Sequence, residues 1–260
     1  MKLETIYEEG DILALRVQDV SAQYINALRR YATSRVPPLA IDFVEFKKNS
    51  GILYDEMVAH RMGLLPLTTD LESYRLPEEE WTEPTGDARV EVQLVLKSTK
   101  AKGSTIVYAK DLQSKDDKVV PVHPEMPITK LIEGQELELV ATARMGVGEE
   151  HVKWSPGHVW YRHFPQISID KQPKDAEAVA KKYPKLFEVK SNKLALTKDA
   201  AYHLPDTELA IDGVSVEFVD GDYLLIIESW GQLAPKTILQ EAVSAYDNQL
   251  DEFIKLTEVL

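Results

Sequence analysis

The chain has 260 residues, 30 Lys and Arg against 43 Asp and Glu for a formal net charge of -13, and no cysteine. Such a length suits one large domain or two to three modest ones with ample core, while the lack of cysteine excludes disulfides, a thiolate nucleophile and Cys-ligated metal. The acidic excess argues against the chain gripping nucleic acid by itself, because nonspecific affinity comes mainly from neutralised phosphates. No apolar run approaches the roughly 20 residues of a membrane span, and the opening MKLETIYEEG lacks the apolar segment of a signal peptide, so the expected location is cytoplasmic.

Residues 3–8, a Glu9-Gly10 break and residues 11–17 predict a hairpin feeding the first helix. In that helix Ile25, Leu28, Ala32 and Val36 fall on one line of a 3.6-residue wheel, flanked by Tyr24 and Tyr31, with Gln23, Asn26, Arg30 and Ser34 opposite. Ser21 is placed to cap it, and Pro37 and Pro38 end it. Arg29 sits at the edge of the apolar line, either as a stem lying along the core with its head in water or as a contact residue.

From about residue 41 the pattern turns to strands. Val90, Val92, Leu94 and Leu96 alternate with Arg89, Glu91, Gln93 and Lys97, which predicts a strand with one wet face. Residues 105–109 and 136–143 read as further strands of a mostly β domain, and 72–87, with LPEEEWTEPTGD, as a polar loop. The segment 144–157, RMGVGEEHVKWSPG, carries a Gly-x-Gly, yet it lacks the third Gly and ensuing helix of a dinucleotide loop and the Gly-Lys-Ser/Thr of a Walker loop. His151, His158 and His163, spaced by seven and five, fit no compact zinc pattern, so no metal site is expected.

Over 165–211 the composition shifts: PKDAEAVAKKYP predicts a short helix, LFEVKSNKLALT a hairpin around Ser191-Asn192, and TKDAAYHL another short helix. Residues 214–219 and 222–228 flank Asp220-Gly221, which predicts a second hairpin. The closing helix runs over 235–257, with Pro235 in its first turn. Its apolar residues, Ile238, Leu239, Ala242, Val243, Tyr246, Leu250, Phe253 and Ile254, span about 160°, against the roughly 100° needed to pack on one surface. The surplus implies either burial between two layers of the same domain or a subunit interface. Hairpin-plus-helix units at both ends predict one domain built from both termini with the remainder inserted.

Several of these stretches carry a resemblance. Asn26-Ala27-Leu28-Arg29-Arg30, Val36-Pro37, the run AIDFVEF from Ala40 and the run DEMVAHRMGLLPL from Asp55 resemble the alpha-like subunits of cellular RNA polymerases. They are nearest to the archaeal D-type member of that family, counterpart of the eukaryotic third-largest subunit and more distantly of bacterial alpha. The Gly-x-Gly-x-Glu-His-x-Lys-Trp-Ser-Pro loop is a second match far from the first. The resemblance implies an α+β chain: a discontinuous dimerisation domain from 1–40 and 212–260, an inserted mainly β domain over 41–164, and a small ferredoxin-like module over 165–211. Some archaeal relatives hold iron–sulfur clusters in that module, but with no cysteine here the expectation is its fold without a cofactor.

The implied function is a non-catalytic assembly platform, pairing with the small alpha-like subunit L, then with subunits N and P and the second-largest and largest subunits. The dimer contact is expected at Leu28, Arg29, Tyr31, Ala32, Leu239, Val243, Tyr246, Leu250 and Phe253. The large-subunit contact is expected at Asp55, Glu56, His60, Arg61, Gly146, Gly148, Glu150, His151, Lys153 and Trp154, the alternative being that the loop simply closes its own β domain. Two other functions compete. A metal- or His-dependent hydrolase would use His60 with Asp55 or Glu56, or the histidines of 151–163, but Asp55 and His60 are five apart and off one helical face, and no Gly-x-Ser-x-Gly nucleophile motif is present. Independent DNA binding would use Arg29, Arg30, Lys47 and Lys48 and would show a steep salt dependence.

Overall fold

A computed structural model describes residues 1–77, 83–98, 103–205 and 211–258. In chain order the elements are β1 (Lys2–Glu9), β2 (Ile12–Gln18), α1 (Ala22–Ser34), β3 (Leu39–Asn49), α2 (Asp55–Gly63), β4 (Glu91–Ser98), β5 (Thr105–Tyr108), β6 (Leu112–Ser114), β7 (Pro127–Leu131), β8 (Leu137–Met145), β9 (Gly157–Ile169), α3 (Ala176–Lys182), β10 (Phe187–Lys190), β11 (Lys193–Leu196), α4 (Ala200–His203), β12 (Val214–Ser229) and α5 (Pro235–Thr257). Helices and antiparallel strand pairs are mixed, in keeping with the expected α+β class. The polar loop expected over 72–87 lies in part, at 78–82, outside the described residues.

The contacts divide the chain into two compact units. The first comprises Met1–Arg30 and Val159–Glu228. Its sheet has the order β1-β2-β12-β9. The β1–β2 hairpin forms as the sequence predicts, with a register shift between Thr5 and Tyr7. Arg16 on β2 and Asp222 on β12 lock the sheet centre, with the guanidinium Nη2 2.5 Å from the carboxylate and its carbon 4.0 Å above the Phe164 ring. Within this unit β10 and β11 form a hairpin whose turn residues Ser191 and Asn192 both take positive φ, 51° and 59°, as a tight primed turn requires. Phe187, Leu186, Leu194 and Leu204 are buried beneath it. α3 is capped by Asp175, whose carboxylate accepts the Ala178 N–H at 2.9 Å.

One expected turn is absent. Asp220-Gly221 is no hairpin turn; β12 is continuous from Val214 to Ser229. Gly221 supplies a positive φ of 79° inside the strand, and its carbonyl accepts the Val20 N–H at 3.2 Å. The ladder to β2 begins at the next residue, Asp222 opposite Gln18. Upstream of the bend the strand runs beside the end of β9, where Asp170 and Lys171 donate to the Gly213 carbonyl and the Ser168 and Ser215 hydroxyls meet at 2.7 Å. The glycine thus bends a strand that keeps β9 beside it throughout and takes on β2 as a second neighbour, which a local turn signal does not distinguish from a reversal.

The second unit comprises Tyr31–His158 and Ser229–Leu260. A four-stranded sheet of order β3-β8-β4-β6 and a β5–β7 pair enclose its core. On β4 Val92, Leu94 and Leu96 are buried as predicted, with Leu39, Ile41, Leu137 and Leu139, whereas Glu91, expected on the wet face, is buried too, its carboxylate accepting the Thr85 and Gly86 N–H groups. α2 covers this core with Val58 and Met62. α5 begins at Pro235 as expected, and Ile238 and Ala242 are fully buried. From Val243 to Glu258 none of its residues is buried.

Candidate functional site

Two sets of residues were expected to face partners, and the structure sorts both. On α1, which Ser21 caps through its hydroxyl at 3.3 Å from the Tyr24 N–H, Leu28 and Ala32 turn inward and are 6% and 1% exposed. They belong to the core side of the wheel, so what α1 offers outward is Arg29 and Tyr31 rather than Leu28 and Ala32. Arg29 is half-buried and donates to Asn26 Oδ1 at 3.0–3.1 Å. The Tyr31 ring stands edge-on to Tyr246 of α5 at 4.9 Å, and its hydroxyl bonds Gln249. Leu239 and Tyr246 are half-buried. Beyond them the apolar arc is bare: Val243 is 43% exposed, Leu250 44%, Phe253 65%, Ile254 54% and Leu256 69%. Of the two readings of that arc, burial between layers of its own domain does not hold over these last turns.

The second set lies on α2 and the 146–156 loop. α2 carries Asp55 and Glu56 in its first turn and His60 and Arg61 in its last, the order the helix dipole favours. All four are exposed. Asp55 is oriented by Asn49, which donates to its carboxylate at 2.8 Å, and Arg61 donates to the Pro127 carbonyl at 2.8 Å.

The loop begins at the end of β8 and closes with a single 3-10 turn over Val152–Trp154. Trp154 is 2% exposed, its indole N–H donating to the Arg144 carbonyl at 3.2 Å. Gly146 makes room for it: a Cβ there would lie 2.4 Å from the indole ring. Gly148 is equally constrained, since its Cβ would fall 2.1 Å from the Thr33 carbonyl oxygen. Close approach, not a special φ, selects glycine at both. The same stretch caps α1, because the Glu149 N–H donates to the Ser34 carbonyl at 3.1 Å and its carboxylate pairs with Arg35 at 2.7 Å. Gly146 and Trp154 are therefore internal supports of the loop and not surface contacts.

Beneath the loop is an ion cluster that the sequence did not single out. Asp42 of β3 accepts from Lys153 with Oδ1 and from Arg144 Nε with Oδ2, the latter at 2.8 Å. Lys153 also donates to the Ile41 carbonyl at 3.3 Å, and Arg144 reaches Glu150 at 3.2 Å. Both cations lie over the Trp154 ring, at 4.3 Å for Arg144 and 4.4 Å for Lys153. Burial pushes the Asp42 carboxyl up, but hydrogen bonds and charge from Lys153 and Arg144 outweigh it and hold it below the usual carboxylate range. Asp42 and Arg144 both stood inside recognised motifs; only their pairing, about 100 residues apart in the chain, was hidden.

On the outer side of the loop Val152 is 69% exposed. With Leu64, Pro66, Met126 and Trp230 it lines a groove of about 300 Å³. The far wall is fixed by Gln232, whose amide donates to the Leu39 carbonyl at 3.3 Å, and by Gly231, at φ 87°, packed on Val122. His151 keeps its Nδ1 as acceptor for the Lys153 N–H at 3.1 Å, whereas His158 and His163 lie on β9. Among the described residues no group of three His, Cys, Asp or Glu side chains is placed to hold a metal ion, and no helix is long and apolar enough to cross a membrane.

Residues 44–158 match the family described as the RNA polymerase Rpb3/RpoA insert domain. Over nearly its whole length the chain is similar to DNA-directed RNA polymerase subunit Rpo3 of Thermococcus kodakarensis, 34% identical over 259 residues covering 98% of this chain and 96% of the relative. The Rpo3 subunits of Pyrococcus furiosus (32% over 98% of this chain and 96% of the relative) and Pyrobaculum aerophilum (34% over 93% and 90%) are similar too. The chain belongs to the Rpo3 family of DNA-directed RNA polymerase subunits, the archaeal alpha-like subunits, and its role is that of a polymerase subunit in transcription.

Proposed function

We propose that the chain is the non-catalytic assembly and platform subunit of its polymerase, pairing first with a small alpha-like L-type subunit and then docking the large catalytic subunits. The observation that carries this reading is the second half of α5, where Val243, Leu250, Phe253 and Ile254 are 43–65% exposed on one chain. A soluble protein rarely leaves so continuous an apolar stripe without a partner. Tyr31 and Tyr246, whose rings meet, adjoin the stripe, and with Arg29 and Leu239 they complete the proposed contact, in a dimerisation domain assigned to 1–40 and 212–260. The large-subunit surface is assigned to the exposed residues of α2 (Asp55, Glu56, His60, Arg61) and to the 146–156 loop of the 41–164 domain, with Glu150, His151 and Lys153 in it. Subunits N and P join the same platform. The 165–211 module is assigned a structural role without a cluster. No catalytic residue, cofactor or direct nucleic-acid contact is assigned to this chain, and its place is the cytoplasm.

The test is the mass in solution, by light scattering after gel filtration, of the chain alone and with an archaeal L-type subunit. A one-to-one heterodimer is expected, with the lone chain self-associating. Val243→Asp is expected to abolish the heterodimer while the β insert stays folded, since a charge buried there would have no partner. A stable monomer indifferent to L, or an undiminished heterodimer with the Val243→Asp variant, overturns the assignment.

A further inference from the structure

We infer that residues 171–198 carry a phosphate-binding surface for nucleic acid, centred on Lys181, Lys182, Lys185 and Lys198. The platform role proposed above gives this chain no nucleic-acid contact, and the inference stands apart from it. The net charge of -13 is unevenly distributed. Residues 171–198 hold eight lysines against three carboxylates, a local charge of +5, so the rest of the chain carries -18. All eight lysines are exposed. At physiological ionic strength charges are screened beyond roughly 8 Å, so a contact feels the local sign and not the total.

The fold gathers four of these lysines at one end of α3. Ala176, Val179, Ala180 and Tyr183 turn the helix onto the core formed by Phe187 and Leu194, which leaves Lys181 and Lys182 on the outer side of its last turn. The chain then folds back, the Leu186 and Phe187 N–H groups both donating to the Tyr183 carbonyl at 3.0 Å, and this keeps Lys185 at the helix end. Thr197 brings in Lys198, because its hydroxyl donates to the Lys185 carbonyl at 2.7 Å and its N–H to the Leu186 carbonyl at 3.0 Å. Among the described residues none of the four has a carboxylate within ion-pair distance. By contrast Lys97, Lys110 and Lys118 each meet one, from Glu138, Glu125 and Asp70. The neighbouring hairpin adds charge of the same sign: its register sets Lys190 directly opposite Lys193, a like-charge pair that weakens strand pairing.

Clustered like charges raise the energy of the free protein, and a bound polyanion relieves it. The chain is a subunit of DNA-directed RNA polymerase, so the polyanion its assembly handles is nucleic acid. Residues 171–198 contain no arginine. Lysine meets phosphate as a point charge without the planar fork that reads base edges, so this surface follows the backbone of DNA or RNA and not the sequence.

The dilute full chain is titrated with a short fluorescent DNA duplex and, separately, with a single-stranded RNA, between about 50 and 200 mM salt. Four phosphate contacts give a log–log salt slope of about -3.6 on the duplex and about -2.8 on the single strand, so affinity should fall roughly 150-fold or 50-fold over that range. The tighter of the two names the source. Lys181→Gln, Lys182→Gln, Lys185→Gln and Lys198→Gln combined should weaken binding at the lowest salt by about tenfold or more and flatten the slope. The same loss of charge elsewhere, by Lys2→Gln, Lys97→Gln, Lys110→Gln and Lys130→Gln, should leave binding within about threefold. Absence of binding by the wild type at the lowest salt, or equal losses in the two variants, overturns the inference. Tighter binding of polyglutamate of matched charge than of either nucleic acid also overturns it and makes the surface a docking site for an acidic protein. Should the fourfold variant fail to fold, Lys185→Gln and Lys198→Gln are read singly, each expected to lower the slope by about one unit; an unchanged slope in both overturns the inference.

Discussion

Truncating Phe253 to alanine isolates what the end of α5 contributes to pairing. The side chain is 65% exposed in the single chain. Complete burial of a phenylalanine is worth about 3 kcal/mol, so the part still in water represents about 2 kcal/mol that only a partner can supply. At 1.4 kcal/mol per tenfold, Phe253→Ala should weaken the complex with the L-type subunit roughly 30-fold. The already covered third accounts for about 1 kcal/mol at most, so the variant alone should unfold in urea almost where the wild type does. Calorimetric titration of the L-type subunit gives the first number and urea unfolding of the dilute lone chain the second. An affinity within threefold of wild type in a folded variant would refute the reasoning, as would a loss of lone-chain stability exceeding the loss of affinity.

Other perturbations address the remaining features. Gly148→Ala places a Cβ 2.1 Å from the Thr33 carbonyl oxygen, a backbone atom that cannot rotate away; a loss of about 1–3 kcal/mol is expected by urea unfolding. Changing Ser191 to Asn together with Asn192 to Gly suits the positive φ of both turn positions and should stabilise the chain by about 0.5–1 kcal/mol, seen as a higher thermal midpoint. Asp42 has a folded-state pKa below its unfolded value near 3.9, so its contribution is fully present above that value and is lost as pH falls through the folded pKa. Asp42→Asn should therefore lower stability at neutral pH by about 1–3 kcal/mol and flatten the acid limb below about pH 4 in a pH series of urea midpoints.

How much of this was legible depended on range. α1, the β10–β11 turn and α5 from Pro235 to Thr257 follow from local rules of capping, turn chemistry and periodicity, and the structure places them there. Among the strands that escaped those rules, two show why. β9 runs through Pro165, which reads as a break, yet β9 lies at the edge of its sheet, where a missing amide donor is tolerated. In β12 the Asp-Gly signal was overridden by β9 running beside it through the bend and by pairing with β2 from Asp222 on. At the site, exposure sorted what periodicity could not. Leu28 lies on the apolar line and Tyr31 beside it, and packing decided that Leu28 serves the core of its own chain while Tyr31 meets Tyr246; Asp42 acquires its meaning from Arg144 and Lys153, brought to it by a strand pairing that no local pattern encodes.

The division of α5 between a buried start and a bare end has a consequence for the cell. Ile238 and Ala242 hold the helix to its own chain whether or not anything else is bound, so a copy made in excess presents the same greasy tail, from Val243 to Leu256, that an assembled copy would hide. Chaperones and proteases recognise uncovered apolar side chains of this kind, and exposed surface of this size also drives aggregation. On the proposed pairing the helix end would mark incompletely assembled copies, and the abundance of this subunit would follow the supply of the partner that covers it rather than its own rate of synthesis.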